Sequence, residues 1–265
     1  MKILFALLLL AGAVLGNIMG TYRAGKKDFF DPELLKIDEG KYIGGFVANV
    51  PLRLSDGRTV ELYELLKERP TILVFSYYTC EGSCPIRVDN LKKVLDSSST
   101  LQRRDFNVLV VSFDKRDTPD TMKSFMAKRE PFTKHWKFAI LDPQSIDRLT
   151  MSTGFKFFYS ERDRTFVHTS AYIFLSPDGK ITRYLFGIKP KEKDLRIALA
   201  EAEGGKVSLS SVVDLALLVC YTYDPSRSSF VINPTIIFGG IGFAILGSIA
   251  IFAFVSNRLS RREVQ

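Results

Sequence analysis

The stretch Thr71 to Asn90, TILVFSYYTCEGSCPIRVDN, decides how this chain is read. Its first part, Thr71 to Tyr78, is apolar and rich in β-branched and aromatic residues, the pattern of a buried strand. That strand runs into a short loop carrying Cys80 and Cys84. Pro85 then opens a helix, because its missing N–H removes no bond from a first turn. Apolar residues at Ile86, Val88, Leu91, Val94 and Leu95 continue it at close to helical spacing. Two thiols between a strand and a helix N-terminus sit where the helix dipole favours thiolate, the form that attacks disulfides and binds metals.

Downstream the pattern alternates. Phe106 to Phe113 reads as a second buried strand. Thr118-Pro119-Asp120 is an N-cap, a first-turn proline and a first-turn acid, so a helix follows to about Arg129. Trp136 to Leu141 is a strand and Pro143 to Ser152 a helix ending at Gly154. Val167 to Leu175 and Ile181 to Phe186 flank the turn Ser176-Pro177-Asp178-Gly179. Pro190 to Ala202 is a helix stopped by Gly204-Gly205. Upstream, Phe46 to Leu62 alternates around Ser55-Asp56-Gly57 as a hairpin, and Glu61 to Glu68 is a short helix. The expectation is an α/β fold, a mixed sheet with helices on both faces, in the thioredoxin-like order: a cysteine pair just after an early strand.

The termini differ from this body. Met1 to Gly20 has one charge, Lys2, ahead of an apolar run from Ile3 to Leu15, the layout of an export signal or N-terminal anchor. Residues 21–42 read as a polar tether, 43–204 as the folded domain and 205–232 as a C-terminal extension. Val207 to Val219 is apolar but too short to cross a bilayer comfortably. Thr235 to Val255 is 21 residues without a charge, long enough to span. Arg258, Arg261 and Arg262 follow at once, so residues 256–265 are expected in the cytoplasm and the domain on the extracytoplasmic side of the cell membrane. Gly240, Ala244 and Ser248 lie at four-residue intervals along this run.

Composition narrows the function. The net charge is +8, but part of the excess flanks the two apolar blocks and no basic stripe is interleaved with aromatics. Nucleic acid is not an expected partner. There is no P-loop, no His-Glu-x-x-His and no nucleophile elbow. Three cysteines are too few for a disulfide scaffold, and the odd count leaves one over.

The pair Cys80 and Cys84 admits three readings: a structural disulfide, a dithiol–disulfide enzyme, or a metal site. A third donor favours the last. His168 lies in His-Thr-Ser-Ala near the start of the Val167–Leu175 strand, whose end can approach the cysteine loop in a thioredoxin-like sheet. Two thiolates and an imidazole suit copper, and zinc would also accept them. His135 has no such context and reads as a surface residue. Asp114, Asp117 and Asp120 fall in a strand-to-helix turn and read as capping acids. Cys220 reads as a packing residue, with metal relay or a partner thiol as alternatives. A peroxide-handling enzyme lacks its Thr-x-x-Cys frame, because Tyr77 stands three residues before Cys80.

Three segments together resemble the Sco/SenC family: Cys80-Glu81-Gly82-Ser83-Cys84-Pro85 after a strand, Ser112 to Pro119 (SFDKRDTP), and His168-Thr169-Ser170-Ala171 ahead of Ser176-Pro177-Asp178-Gly179. The resemblance covers roughly Gly44 to Ala202. It implies a membrane-tethered, thioredoxin-like protein binding copper through Cys80, Cys84 and His168. It further implies delivery of that copper to the dinuclear centre of cytochrome c oxidase, with the copper-centre subunit as partner. The alternative is a thiol–disulfide reductase that uses Cys80 and Cys84, draws on a thioredoxin-like reductant, and prepares partner cysteines without carrying copper. Two features depart from the family pattern. Many members have only an N-terminal anchor, whereas this chain adds an apolar C-terminal segment. The cysteine loop also carries Gly82-Ser83 where relatives often place an acid.

Overall fold

The structure is a computed structural model that describes residues 35–67, 69–80 and 83–204 and, after 220, residues 221–224, 227, 229–233, 235, 238, 239, 242–249, 251 and 252. Of Ser83 and Cys84 the backbone is described and the side chains are not. The expected export signal, most of the tether, the Val207–Val219 run and Cys220 lie outside the described residues.

The central sheet has seven strands: β1 (Pro51–Leu54), β2 (Thr59–Glu61), β3 (Thr71–Ser76), β4 (Asn107–Ser112), β5 (Trp136–Ile140), β8 (Ala171–Leu175) and β9 (Ile181–Phe186). Their spatial order is β2-β1-β5-β4-β3-β8-β9. Strands β3, β4 and β5 are parallel. Strand β8 is antiparallel to β3 and β9, and β1 to β5 and β2. Both faces of β3 and β4 are covered, which is why these strands read as unbroken apolar runs rather than alternating ones.

Side chains divide by parity. Ile72, Val74, Val108 and Val110 face one layer, packed with Val88, Leu91, Met122 and Leu195. Leu73, Phe75, Leu109 and Val111 face the other, packed with Leu62, Leu66, Ile146 and Leu149. The first layer is built by α3 (Ser83–Ser97), α5 (Pro119–Ala127) and α7 (Glu192–Ala202), the second by α2 (Leu62–Leu66) and α6 (Pro143–Thr153). Two shorter helices, α1 (Glu39–Tyr42) and α4 (Ser99–Gln102), complete the set. Each full burial of an aliphatic side chain contributes roughly 1.5–3 kcal/mol, so this double-sided sheet is the main source of stability.

Local signals act as expected at several ends. Thr118 caps α5 by accepting from Thr121 N, with Pro119 in the first turn. Asp142 caps α6, which ends on Gly154 at φ 65°, a left-handed residue. The packed body begins earlier than the tether reading implies. Ile37 is buried, and Tyr42 lies under Gly154, so residues from 35 onward belong to the domain.

Two differences concern the site. First, α3 begins at Ser83, two residues before Pro85. Cys84 is therefore in the first turn of the helix and not in the loop before it. Proline is tolerated anywhere in a first turn, whose N–H groups have no intrahelical acceptor. Second, the single strand expected over Val167–Leu175 is two strands. Strand β7 (Thr165–His168) pairs with β6 (Phe157–Ser160) in a separate ribbon, and the chain re-enters the main sheet only at Ala171. His168 thus ends one strand and does not begin the next.

Candidate metal centre

Strands β3 and β4 deliver their C-terminal ends, at Ser76 and Ser112, to the same end of the sheet. Beyond Ser76 the chain turns at Tyr77 and Tyr78, and the Cys80 N–H donates to the Tyr77 carbonyl at 3.2 Å. Cys80 is half-buried and packs against the cluster containing Tyr77, Phe113 and Phe155.

The backbone leading to Cys80 is fixed by a buried carboxylate. Asp117 Oδ2 accepts from the Tyr78 N–H at 2.7 Å and from the Ser112 hydroxyl at 2.5 Å, while Oδ1 accepts from Thr121 Oγ1 at 3.0 Å. Asp117 therefore ties the ends of β3 and β4 to the start of α5, beyond the capping role expected of it. Tyr78 adds two bonds from its hydroxyl, to the carbonyls of Val110 and Ala139 at 3.0 and 2.7 Å. Asp114, in contrast, closes its own turn. It accepts from the backbone N–H of Arg116 and forms a bidentate ion pair with that guanidinium. Asp120 sits in the first turn of α5, as its capping assignment requires.

His168 stands at the end of β7, opposite Phe157. It is 9% exposed and lies against the rings of Phe113 and Phe155, at centroid distances of 5.2 and 5.8 Å. Its Nδ1 is 2.8 Å from the carbonyl oxygen of Thr169. A carbonyl can only accept, so Nδ1 carries the proton and Nε2 carries the lone pair. Burial, with the positive charge of Arg87 adding to it, pushes the imidazole pKa down to about 4; the Thr169 bond opposes the shift. At neutral pH the ring is uncharged, the state a metal ligand requires.

Arg87 connects the two cysteine-bearing elements to the histidine. It lies one turn into α3, three residues past Cys84, and is fully buried. Nη1 donates to the Thr169 carbonyl at 3.2 Å, and Nη2 donates to the carbonyls of Phe75 and Ala171 at 3.3 and 3.1 Å. The guanidinium also faces the Tyr172 ring at 5.5 Å. A buried arginine bonded to carbonyls of β3, of β8 and of the link between β7 and β8 splits the expected long strand, because Thr169 turns its carbonyl out of the sheet towards α3. Arg87 is not among the candidate residues read from the sequence. The only clue lay in its spacing, on the apolar side of the helix with Val88 and Leu91.

Beside the imidazole, the β6–β7 ribbon overhangs the end of β4 and the start of α6. A cavity of about 600 Å³ opens there, walled by Phe113, Asp114, Arg116, Phe157, Tyr159 and Phe166. The Arg116 guanidinium lies over the Tyr159 and Phe166 rings at 5.5 and 5.4 Å. His135 is far from this end. Its Nδ1 meets the Phe106 carbonyl at 2.9 Å and its ring stacks on Phe106 at 4.8 Å, so it is half-buried and structural and not the plain surface residue expected.

Of the three expected donors, Cys80 and His168 are thus brought to the same end of the sheet, and Cys84 is placed by backbone at the start of α3. Among the described residues no three His, Cys, Asp or Glu side chains form a ready metal cluster, and the Cys84 side chain is outside that set. The donor types fit a soft metal ion: one cysteine in the turn after β3, one in the first turn of α3, and a neutral imidazole held by a carbonyl behind it.

Comparison with known proteins agrees with this topology. A putative electron transfer protein from Aquifex aeolicus VF5 is 28% identical, with a TM-score of 0.56 over 61% of this chain and 95% of that one. A structure of BsSco, described as a member of the Sco family of cytochrome c oxidase assembly proteins, is 20% identical, with a TM-score of 0.52 over 63% of this chain and 97% of that one. The ScoI protein of Bradyrhizobium japonicum, solved with copper bound, is 24% identical, with a TM-score of 0.45 over 60% of this chain and 98% of that one. No protein of curated function matches the sequence. The fold is thioredoxin-like, as expected from the order of elements. The SCO1/SenC family model matches residues 52–201, more than half of the sequence, and the chain belongs to that family.

Proposed function

We propose that this chain binds copper outside the cytoplasmic membrane and passes it to the copper-centre subunit of cytochrome c oxidase during assembly. Cys80, Cys84 and His168 are the ligands in this reading. The observation that carries it is His168: a buried, neutral imidazole whose Nδ1–H is held by Thr169, at the end of the sheet to which β3 delivers Cys80. Copper accepts thiolate and imidazole together in both of its oxidation states, which suits a protein that must take up and release the ion by ligand exchange. Membership of the SCO1/SenC family supports the link to oxidase assembly.

The membrane reading rests on sequence. No helix among the described residues is long and apolar enough to cross a membrane, and the run Thr235 to Val255 is described only in part. That run is uncharged and is followed by three arginines, and Phe238, Phe243 and Phe252 within it are exposed. In this proposal it spans the bilayer with its C-terminal end in the cytoplasm.

Copper analysis of the reduced full-length protein in detergent tests the proposal. One copper per chain is expected for the wild type, falling to a small fraction of that in Cys84→Ser. Full retention of copper by Cys84→Ser overturns it.

A further inference from the structure

The C-terminal extension ends in a ribbon that sets the direction in which the chain leaves the domain. Strands β10 (Tyr221–Asp224) and β11 (Ser229–Ile232) pair antiparallel, Tyr221 with Ile232 and Tyr223 with Phe230. The ribbon packs on β9 and α7. The Phe230 N–H donates to buried Asp194 at 3.1 Å, and Lys193 Nζ donates to the Phe230 carbonyl at 2.7 Å. Arg183 lies over the Tyr223 ring at 4.6 Å and is paired with Glu201 in the last turn of α7. Lys193, in the first turn of α7, lies over the Tyr221 ring at 4.4 Å. The open end of the ribbon, Tyr221 and Ile232, therefore points from the last turn of α7 towards its first.

That first turn follows the end of β9, where Phe186 faces Ala171. Ala171 is the start of β8, three residues from His168. The ribbon accordingly releases the chain at the end of the sheet that carries Cys80 and His168. The joint is short and bonded. Asn233 Nδ2 donates to Thr222 Oγ1 in the ribbon, and Asn233 Oδ1 accepts from the Thr235 N–H at the start of the apolar run, both at 3.1 Å. Two residues separate Ile232 from Thr235, a reach of at most about 10 Å.

An independent feature marks the same end. Most exposed large apolar side chains of the described body lie there: Ile86 in the first turn of α3, Phe158 and Tyr159 in the β6–β7 ribbon, and Ile188 after β9; Phe46, beside Lys180 at the opposite end, and Met151 in α6 are the others. Lys189 and Lys191 beside Ile188 are also exposed. Apolar side chains flanked by lysines match the interface of a bilayer with anionic headgroups.

We infer that the end of the domain bearing Cys80 and His168 faces the lipid surface, held there by the β10–β11 ribbon. This rests on the membrane reading of Thr235 to Val255. The recipient of the bound ion would then be met at the membrane surface and not in bulk solution.

Tryptophan quenching by brominated phospholipid in vesicles containing phosphatidylglycerol tests the inference on the full-length chain. Native Trp136, buried at the opposite end of the sheet, is a built-in reference. Ile188→Trp places a second reporter at the site end and Lys180→Trp one at the opposite end, both at exposed positions. Carbonate extraction first establishes integration. The added emission of Ile188→Trp is expected to fall at least about twofold in brominated vesicles, with that of Lys180→Trp unchanged. Integrated protein in which neither reporter is quenched, both are quenched equally, or Lys180→Trp is quenched alone overturns the orientation while the membrane reading stands. Recovery of the chain in the carbonate supernatant overturns both.

Discussion

Arg87 and His168 donate to one acceptor, the carbonyl oxygen of Thr169, at 3.2 and 2.8 Å. The helix that begins with Ser83 and Cys84 is thereby fastened to the backbone that orients the imidazole. Replacing Arg87 removes three buried hydrogen bonds. Arg87→Met is expected to destabilise the fold by at least about 3 kcal/mol, with Arg87→Lys intermediate. In folded Arg87→Met the His168 pKa rises towards its ordinary value, because a neighbouring positive charge has gone. The chain has two histidines, so NMR of histidine-labelled protein resolves the change. Copper affinity is expected to fall about tenfold, the usual scale for losing an outer-shell support.

Asp117 holds the other side of the site. Its carboxylate accepts from Tyr78 N and Ser112 Oγ, two residues ahead of Cys80 and at the end of β4. Asp117→Ala is expected to cost about 2–4 kcal/mol by leaving a buried N–H and hydroxyl unpaired. Asp114→Ala, which loses a turn hydrogen bond and an ion pair to an arginine that is 61% exposed, is expected to cost less, about 1–2 kcal/mol. Thermal unfolding of the two variants side by side checks the difference.

The depressed pKa of His168 makes the metal-free protein acid-sensitive. The unfolded imidazole takes up a proton near pH 6.5, whereas the folded one resists until about pH 4. Stability from this group is therefore complete above about pH 6.5 and declines as the pH falls towards 4, by about 1.4 kcal/mol per pH unit at most. Unfolding of wild type and His168→Gln across this range is the check: the difference between them should shrink as the pH drops.

Copper binding and thiol exchange call on different residues. His168→Ala is expected to lose copper and keep disulfide exchange with a small dithiol, since exchange needs only Cys80 and Cys84. Cys84→Ser is expected to lose both. Parallel copper and exchange assays on the two variants would reveal a pure reductase if His168→Ala altered neither.

Much of this was legible from the residues. Apolar runs with both faces buried marked β3 and β4, and the caps at Thr118, Asp142 and Gly154 marked α5 and α6. Long-range bonds were not legible. The break at Thr169 arises because Arg87, 82 residues away in sequence, takes its carbonyl, and no local pattern at Val167–Leu175 records that. The β6–β7 ribbon was hidden for a related reason: Phe157 to Ser160 packs on Phe113 through a short, half-exposed stretch with no clean alternation. Asp117 looked like a cap because it precedes one; its second role appears only when Tyr78 is brought against it.

The ligand set itself is the point on which the account turns. X-ray absorption at the copper edge of the loaded, full-length protein should show two sulfur ligands and one imidazole nitrogen, and His168→Ala should lose the nitrogen shell. A copper environment without sulfur, or an imidazole shell unchanged in His168→Ala, would contradict it.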